Sequence, residues 1–221
     1  MYKYELHAHA SEVSSCARVP AAQMAEAYMS AGFKAIVVTD HLSTKRAEKF
    51  NTWDEYITNF ISGYELAKEH GKSQINVFLG MEASFDENAN EYLVYGVTEK
   101  FLRNNPFFTK MSLKEFKPVL EENGMLLYQA HPFRKNMTIV PVELLYGIEV
   151  VNANPRHDSR NDIAIKWAEK FNLKQIAGSD YHQKEDVCKA GICSEVLINS
   201  QSILLDVLKS DKYSVFGMEN Q

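Results

Sequence analysis

The chain has 221 residues, 45% hydrophobic and 24% charged, with a formal net charge of −5. This is ordinary for a globular protein and fits one large domain, residues 1–221, with a sizeable core. The acidic balance, with no basic tail or Lys/Arg run, argues against nucleic acid as the main partner; a small anionic substrate stays open, because bound metal ions would reverse the local sign.

No apolar run is long enough to span a bilayer, and MYKYELHAH runs directly into a strand with no basic region followed by an apolar core. The three cysteines (Cys16, Cys188, Cys193) are an odd number without a CxxC pair, so a disulfide framework is not expected. The expectation is a reduced, cytoplasmic protein with no membrane partner; a homo-oligomer is compatible with the sequence.

Apolar runs alternate with amphipathic stretches along the chain. Tyr2–Leu6 reads as a strand, and after a loop Pro20 opens a helix that Gly32 stops. Strand 34–39 (KAIVVT) is followed by helix 51–70 and strands 75–82 and 92–97. Helix 112–123, capped by Ser112 and stopped by Gly124, leads into strand 125–130. Strand 148–151, helix 161–171, strand 174–177, a strand near 192–198 and helix 201–209 complete the series. About seven β/α units without a Pro/Gly/Ser-rich linker predict an α/β class with a closed or nearly closed barrel. The rival, a doubly wound open sheet, has no GxGxxG or GxxxxGK[ST] loop to support it.

Five of the seven histidines fall where predicted strands end: His7 and His9 in YELHAHA, His41 in VVTDH, His131 in YQAHP and His182 in AGSDYH. Asp40 and Asp180 accompany two of them, and Glu82 closes FLGMEAS. His7 and His9, two apart at a strand end, point to one face, the spacing needed to chelate one ion. A lone strand-end histidine is more often a satisfied polar residue. Six or seven His, Asp and Glu at one mouth instead point to several divalent ions, with imidazole and carboxylate donors that suit Zn, Mn or Fe.

The motifs HAHAS, TDH, GMEAS, HPFR and GSDYH, in this order over nearly the whole chain, resemble those of the polymerase and histidinol phosphatase (PHP) family. The resemblance implies a distorted (β/α)7 TIM-like barrel with two to three divalent ions that hydrolyses phosphate esters. It implies that His7, His9, Glu82 and Asp180 bind one ion, that His41 and His182 bind a second, and that Glu82 bridges to a third that also takes His131. The family's further ligand in the loop after HxH is missing, and Glu12 and Cys16 are the candidates. The family's histidine between the bridging Glu and HP is also missing, and Glu91 stands about where it would be.

The implied function is hydrolysis of a phosphate monoester of a small metabolite (histidinol phosphate-like, sugar or nucleotide phosphate). The attacking group would be a hydroxide bridging two metals. Asp180, His182 and His157 are candidates for proton transfer or orientation. Arg134, Arg156 and Arg160 suit bidentate phosphate contacts, with Arg18 a fainter candidate; these arginines could instead pair with surface acids such as Asp158 or Asp162. Two other classes compete: an amidohydrolase-like metal hydrolase, which usually wants a bridging lysine absent here, and a non-catalytic metal-binding PHP module.

Overall fold

Every long apolar run of the sequence becomes a strand of one mixed sheet in the computed structural model, which describes residues 1–210 and 212–217. Its strands are β1 (Tyr2–Ala8), β2 (Ala35–Val38), β3 (His41–Ser43), β4 (Asn76–Ser84), β5 (Glu91–Tyr95), β6 (Leu126–Gln129), β7 (Gly147–Asn152), β8 (Lys174–Gly178), β9 (Gly191–Ser194) and β10 (Ser214–Phe216). The order is β10-β9-β1-β2-β4-β5-β6-β7-β8, with short β3 pairing β4 beyond the end of β2. An isolated parallel bridge from Ala8 to Tyr181, just past β8, joins the two flanks, so seven staves nearly close a barrel.

The helices among the described residues are α1 (Ala21–Ser30), α2 (Thr44–Ala47), α3 (Trp53–Gly71), α4 (Glu99–Asn104), α5 (Leu113–Glu122), α6 (Asn161–Phe171) and α7 (Gln201–Lys209). Their starts follow local chemistry. Ser112 and Glu115 form a reciprocal capping box on α5, and Thr52, Thr98 and Ser200 each accept a backbone N–H at the starts of α3, α4 and α7. Gly32 and Gly124 take the left-handed conformation (φ 79° and 65°) just past α1 and α5.

The seven expected β/α units are realised with one reversal. β5 runs antiparallel to both β4 and β6, so the two successive predicted strands 75–82 and 92–97 form a hairpin within the barrel. The predicted last strand, 192–198, is shorter and runs antiparallel to β1 outside the barrel proper. Short β3, α2, α4 and β10 were not expected; three to six residues carry too little periodicity to read.

The interior is filled by Tyr4, Leu6, Val37, Leu93, Tyr95, Tyr128 and Ile176, all buried in one cluster. Helix α1 covers the outside through Met24, Ala25 and Tyr28, and α5 packs Phe116 among Phe85, Phe101 and Phe108. Register shifts interrupt β1 between Glu5 and Ala8 and β7 between Glu149 and Val151. Irregularities of this kind re-aim side chains, and these two bring His7 and Glu149 face to face.

The closing seam is tight. His9 N–H donates to Tyr181 O (3.0 Å), Tyr181 N–H to His7 O (3.2 Å), and Ser179 N–H to the buried Glu5 carboxylate (2.9 Å). Gly178 permits this approach: a Cβ there would stand 2.3 Å from His7 Cβ and 3.0 Å from Glu149 Oε1. Gly178→Ala should therefore force β1 and β8 apart and destabilise the fold by about 1–3 kcal/mol. A denaturant midpoint unchanged from wild type would refute that.

Candidate metal centre

Glu82 lies near the end of β4, buried at 1% exposure, directly across from His41 in the β3–β4 register. Four imidazoles surround its carboxylate. Oε1 is 3.3 Å from His7 Nε2 and 3.1 Å from His131 Nε2; Oε2 is 3.4 Å from His9 Nε2 and 2.9 Å from His41 Nδ1. Asp180, past β8, directs Oδ1 to His7 Nε2 and His9 Nε2 (each 3.5 Å), while its Oδ2 accepts from Arg134 (3.0 Å), Asn152 and Asn154 (each 3.2 Å).

Three donor sets are able to hold an ion: His7, His9 and Glu82; His9, His41 and His182; His41, Glu82 and Glu91. The donor chemistry supports this. His7 Nδ1 is committed to Glu149 at 2.8 Å and His9 Nδ1 faces Ser14 Oγ at 3.4 Å, yet the buried Nε2 atom of each has no hydrogen-bond partner and faces only carboxylate oxygens. Buried imidazole nitrogens and carboxylates converging on one point need a cation there, a proton or a metal ion, to offset the cost of burying the charge. These residues fit divalent metal.

The local charges agree. Burial opposes ionisation of Glu82 and Asp180, but the neighbouring histidines, His7 foremost, hold both carboxyls well below the usual carboxylate range. Burial opposes protonation of His7, His41 and His182, but the acids around them outweigh it: Glu149, Glu82 and Asp180 hold His7 well above its ordinary value, Glu82 does so for His41, and Asp180 raises His182 to about 10. His9 goes the other way, lowered by burial and then by His41. Burial opposes ionisation of Cys16, yet hydrogen bonds with His182 and His41 bring its thiol down to about 6.

His7, His9, His41, Glu82, His131, Asp180 and His182 converge on one mouth. Glu91 joins them although it begins a strand: because β5 is antiparallel, its first residue lies at the mouth where the parallel strands end. Glu91 Oε1 is 3.4 Å from His41 Nδ1, and Oε2 is 3.4 Å from His131 Nε2. Glu12 does not join. Both its carboxylate oxygens accept the Ala21 N–H at the start of α1 (3.1 and 3.0 Å), a helix-end contact favoured by the backbone's unpaired N–H groups.

A cavity of about 490 Å³ opens over the cluster, lined among others by Arg18, Arg134, Asn154, Arg156 and His157. Arg134 and His157 both line it. Arg156 lines the rim but is committed to buried Asp186 through both terminal nitrogens (2.9 and 2.6 Å). Arg160 is exposed, 3.9 Å from Asp158, and does not line the cavity; it is the left-handed residue (φ 51°) preceding α6, which points it to solvent. Asp40 braces a loop, accepting from Ala10 N–H (2.9 Å) and Ser14 Oγ–H (2.6 Å), and burial pushes its carboxyl up to about 7.

Sequence reasoning missed the supporting residues. Glu149 fixes the His7 tautomer and accepts from His131 N–H (3.0 Å) and Asn152 Nδ2 (2.9 Å); Glu5 ties β1 to Ser179 and Tyr28, with burial raising its carboxyl to about 7. Each is an acid inside an otherwise apolar strand run (GIEVV, YELHA), a signal that could have flagged them.

A nearly closed mixed barrel with imidazole and carboxylate donors converging at one mouth defines a metal-binding barrel. A model of the PHP domain matches residues 5–203, and the chain belongs to the PHP family. Among solved structures, PsfC from Pseudomonas syringae is 18% identical, with a TM-score of 0.72 over 99% of this chain and 92% of that one. A two-domain protein from Bacteroides vulgatus, described as containing a predicted PHP-like metal-dependent phosphoesterase, is 17% identical with a TM-score of 0.70, over 97% of this chain and 64% of that one. Endonuclease Q, in complex with duplex DNA bearing an abasic lesion, is 12% identical with a TM-score of 0.61, over 94% of this chain and 56% of that one. No curated protein sequence matches.

Two expectations follow. Metal must displace protons from His7, His41 and His182, so affinity should rise with pH and binding should release protons, seen as a dependence of the calorimetric enthalpy on buffer ionisation. Glu149→Gln should weaken metal affinity by about 10–100-fold in chelator competition.

Proposed function

We propose that this chain is a metal-dependent phosphatase that hydrolyses a phosphate monoester of a small metabolite. The observation carrying the reading is the cavity of about 490 Å³, which sets arginine and histidine side chains directly over the imidazole–carboxylate cluster. That volume suits a small molecule, and the chain's net charge of −5 suits a small phosphate better than a long polyanion.

Divalent ions held by the cluster would lower the pKa of a water and neutralise phosphoryl oxygens. In this reading His7, His9, Glu82 and Asp180 hold one ion, His41 and His182 a second, and His131 a third, with Glu82 shared and Glu91 beside His131. Arg134 is the principal phosphate contact. Its Nη2 is anchored by Asp180, Asn152 and Ser159 (3.0, 2.9 and 3.3 Å), which fixes the guanidinium in the wall of the cavity. Arg18, exposed at the rim and without an ion-pair partner among the described residues, receives a more distal part of the substrate. His157 is lowered by burial and then by Arg134, which suits a neutral ring orienting substrate at physiological pH. Asp180 and His182, 3.2 Å apart, act by holding the cluster.

The test is p-nitrophenyl phosphate hydrolysis with Mn²⁺ or Zn²⁺. His9→Ala should fall to the no-enzyme level, and Arg18→Ala should raise KM for the natural phosphate with little change in kcat. Stoichiometric bound metal with no phosphatase activity under any ion would refute the reading.

A further inference from the structure

We propose that the Cys16 thiolate is a metal ligand together with His41 Nε2 and His182 Nε2. One position of the centre would then be sulfur-containing and select a thiophilic ion such as zinc, while the carboxylate-rich positions accept manganese or iron. This rests on the metal-centre reading above and goes beyond it in assigning a chemically distinct site to particular atoms.

Cys16 Sγ is 3.1 Å from His182 Nε2 and 3.3 Å from His41 Nε2. Both nitrogens are free to present a lone pair, because each ring's other nitrogen is engaged. His182 Nδ1 donates to Asp180 O at 2.8 Å, and His41 Nδ1 stands 2.9 Å from Glu82 Oε2. Zn–S and Zn–N bonds of about 2.3 and 2.0–2.1 Å in a tetrahedron separate S from N by about 3.5 Å. The observed edges need to open by only a few tenths of an ångström.

The sulfur is held there by its loop. Ser14 Oγ donates to Asp40 and accepts His41 N–H (2.6 and 3.2 Å), Ala17 N–H donates to Ser14 O (2.9 Å), and Arg18 N–H donates to His182 O (2.8 Å). The segment is thus fastened on one side to the residue bearing one imidazole and on the other to the residue bearing the second. His9, whose buried Nε2 has no partner, belongs to the donor set with His41 and His182 and borders the position. Ion binding breaks the S–H bond, forms the metal–sulfur bond and releases the proton to solvent. Thiolate favours zinc, and carboxylate and water favour manganese.

The experiment loads the full chain with Co²⁺ and records its absorption spectrum beside metal content. The wild type should show a sulfur-to-cobalt charge-transfer band in the near ultraviolet. Cys16→Ser should lose the band and one equivalent of metal; Cys16→His should lose the band and keep the equivalent. A Cys188→Ser/Cys193→Ser double variant should keep both. After Zn²⁺ loading and dialysis against Mn²⁺, the wild type should retain one zinc that Cys16→Ser releases. Cobalt bound without the band, or with a band that survives Cys16→Ser, would overturn the proposal and leave the metal centre standing. A chain that binds no cobalt would overturn both.

Discussion

The structure is organised around one electrostatic constraint: the carboxylate of Glu82 is almost completely removed from water. An ion in such a place costs several kcal/mol unless opposite charge and hydrogen-bond donors surround it. Burial works against its ionisation, and the nearby imidazoles of His7, His41 and His131 reverse that. These rings come from β1, the β2–β3 junction and the end of β6, so the charge at the mouth can be satisfied only when several staves are correctly registered. His131 (φ 30°) and Asp180 (φ 49°) carry left-handed backbone at this mouth, conformations that persist where surrounding structure over-determines them.

Much of this was legible in the sequence because both signals are periodic. Buried runs such as AIVV and NVFLGMEAS mark strands, and chemistry-bearing residues at their ends mark the mouth. Ser112, and glycines at 32 and 124, marked helix ends through local backbone chemistry. What escaped depends on direction and partnership. Nothing in ANEYLVYG states that β5 runs backwards, and that orientation alone carries Glu91 to the other donors. Glu12 and Cys16 are four residues apart in one loop; only the geometry, with α1 beginning at Ala21, commits the carboxylate to a helix end. Asp158 was open to the sequence as an arginine partner and does stand near Arg160, which lies away from the cavity, whereas the pairing of Arg156 with Asp186, 30 residues on, depends on loop conformation.

The seam between β1 and β8 serves stability and chemistry with the same atoms. Gly178 lets the backbones meet, Glu5 and Tyr181 hold them by hydrogen bonds, and Glu149 reaches across to fix the His7 ring. The paired register shifts on β1 and β7 are what this close approach requires of otherwise regular strands. The opposite side of the mouth is built from β3 and a hairpin, and there the donors are mixed in kind: His41 beside the thiol of Cys16, and His131 beside the carboxylate of Glu91.

That hairpin makes one donor depend on counting. In a strand, side chains alternate faces, so a slip of one residue between β4 and β5 would turn Glu91 away and bring Asn90 or Tyr92 to its place. The pairing of Ser84 with Glu91 is defended by Asn90, buried in the turn, which donates to Tyr92 Oη (3.0 Å) and Thr138 O (2.7 Å) and accepts Thr138 N–H (2.6 Å). A slip of that register would act as a chemical mutation of the centre while leaving every amino acid in it unchanged. Strand register, as much as residue identity, decides which side chains this mouth presents.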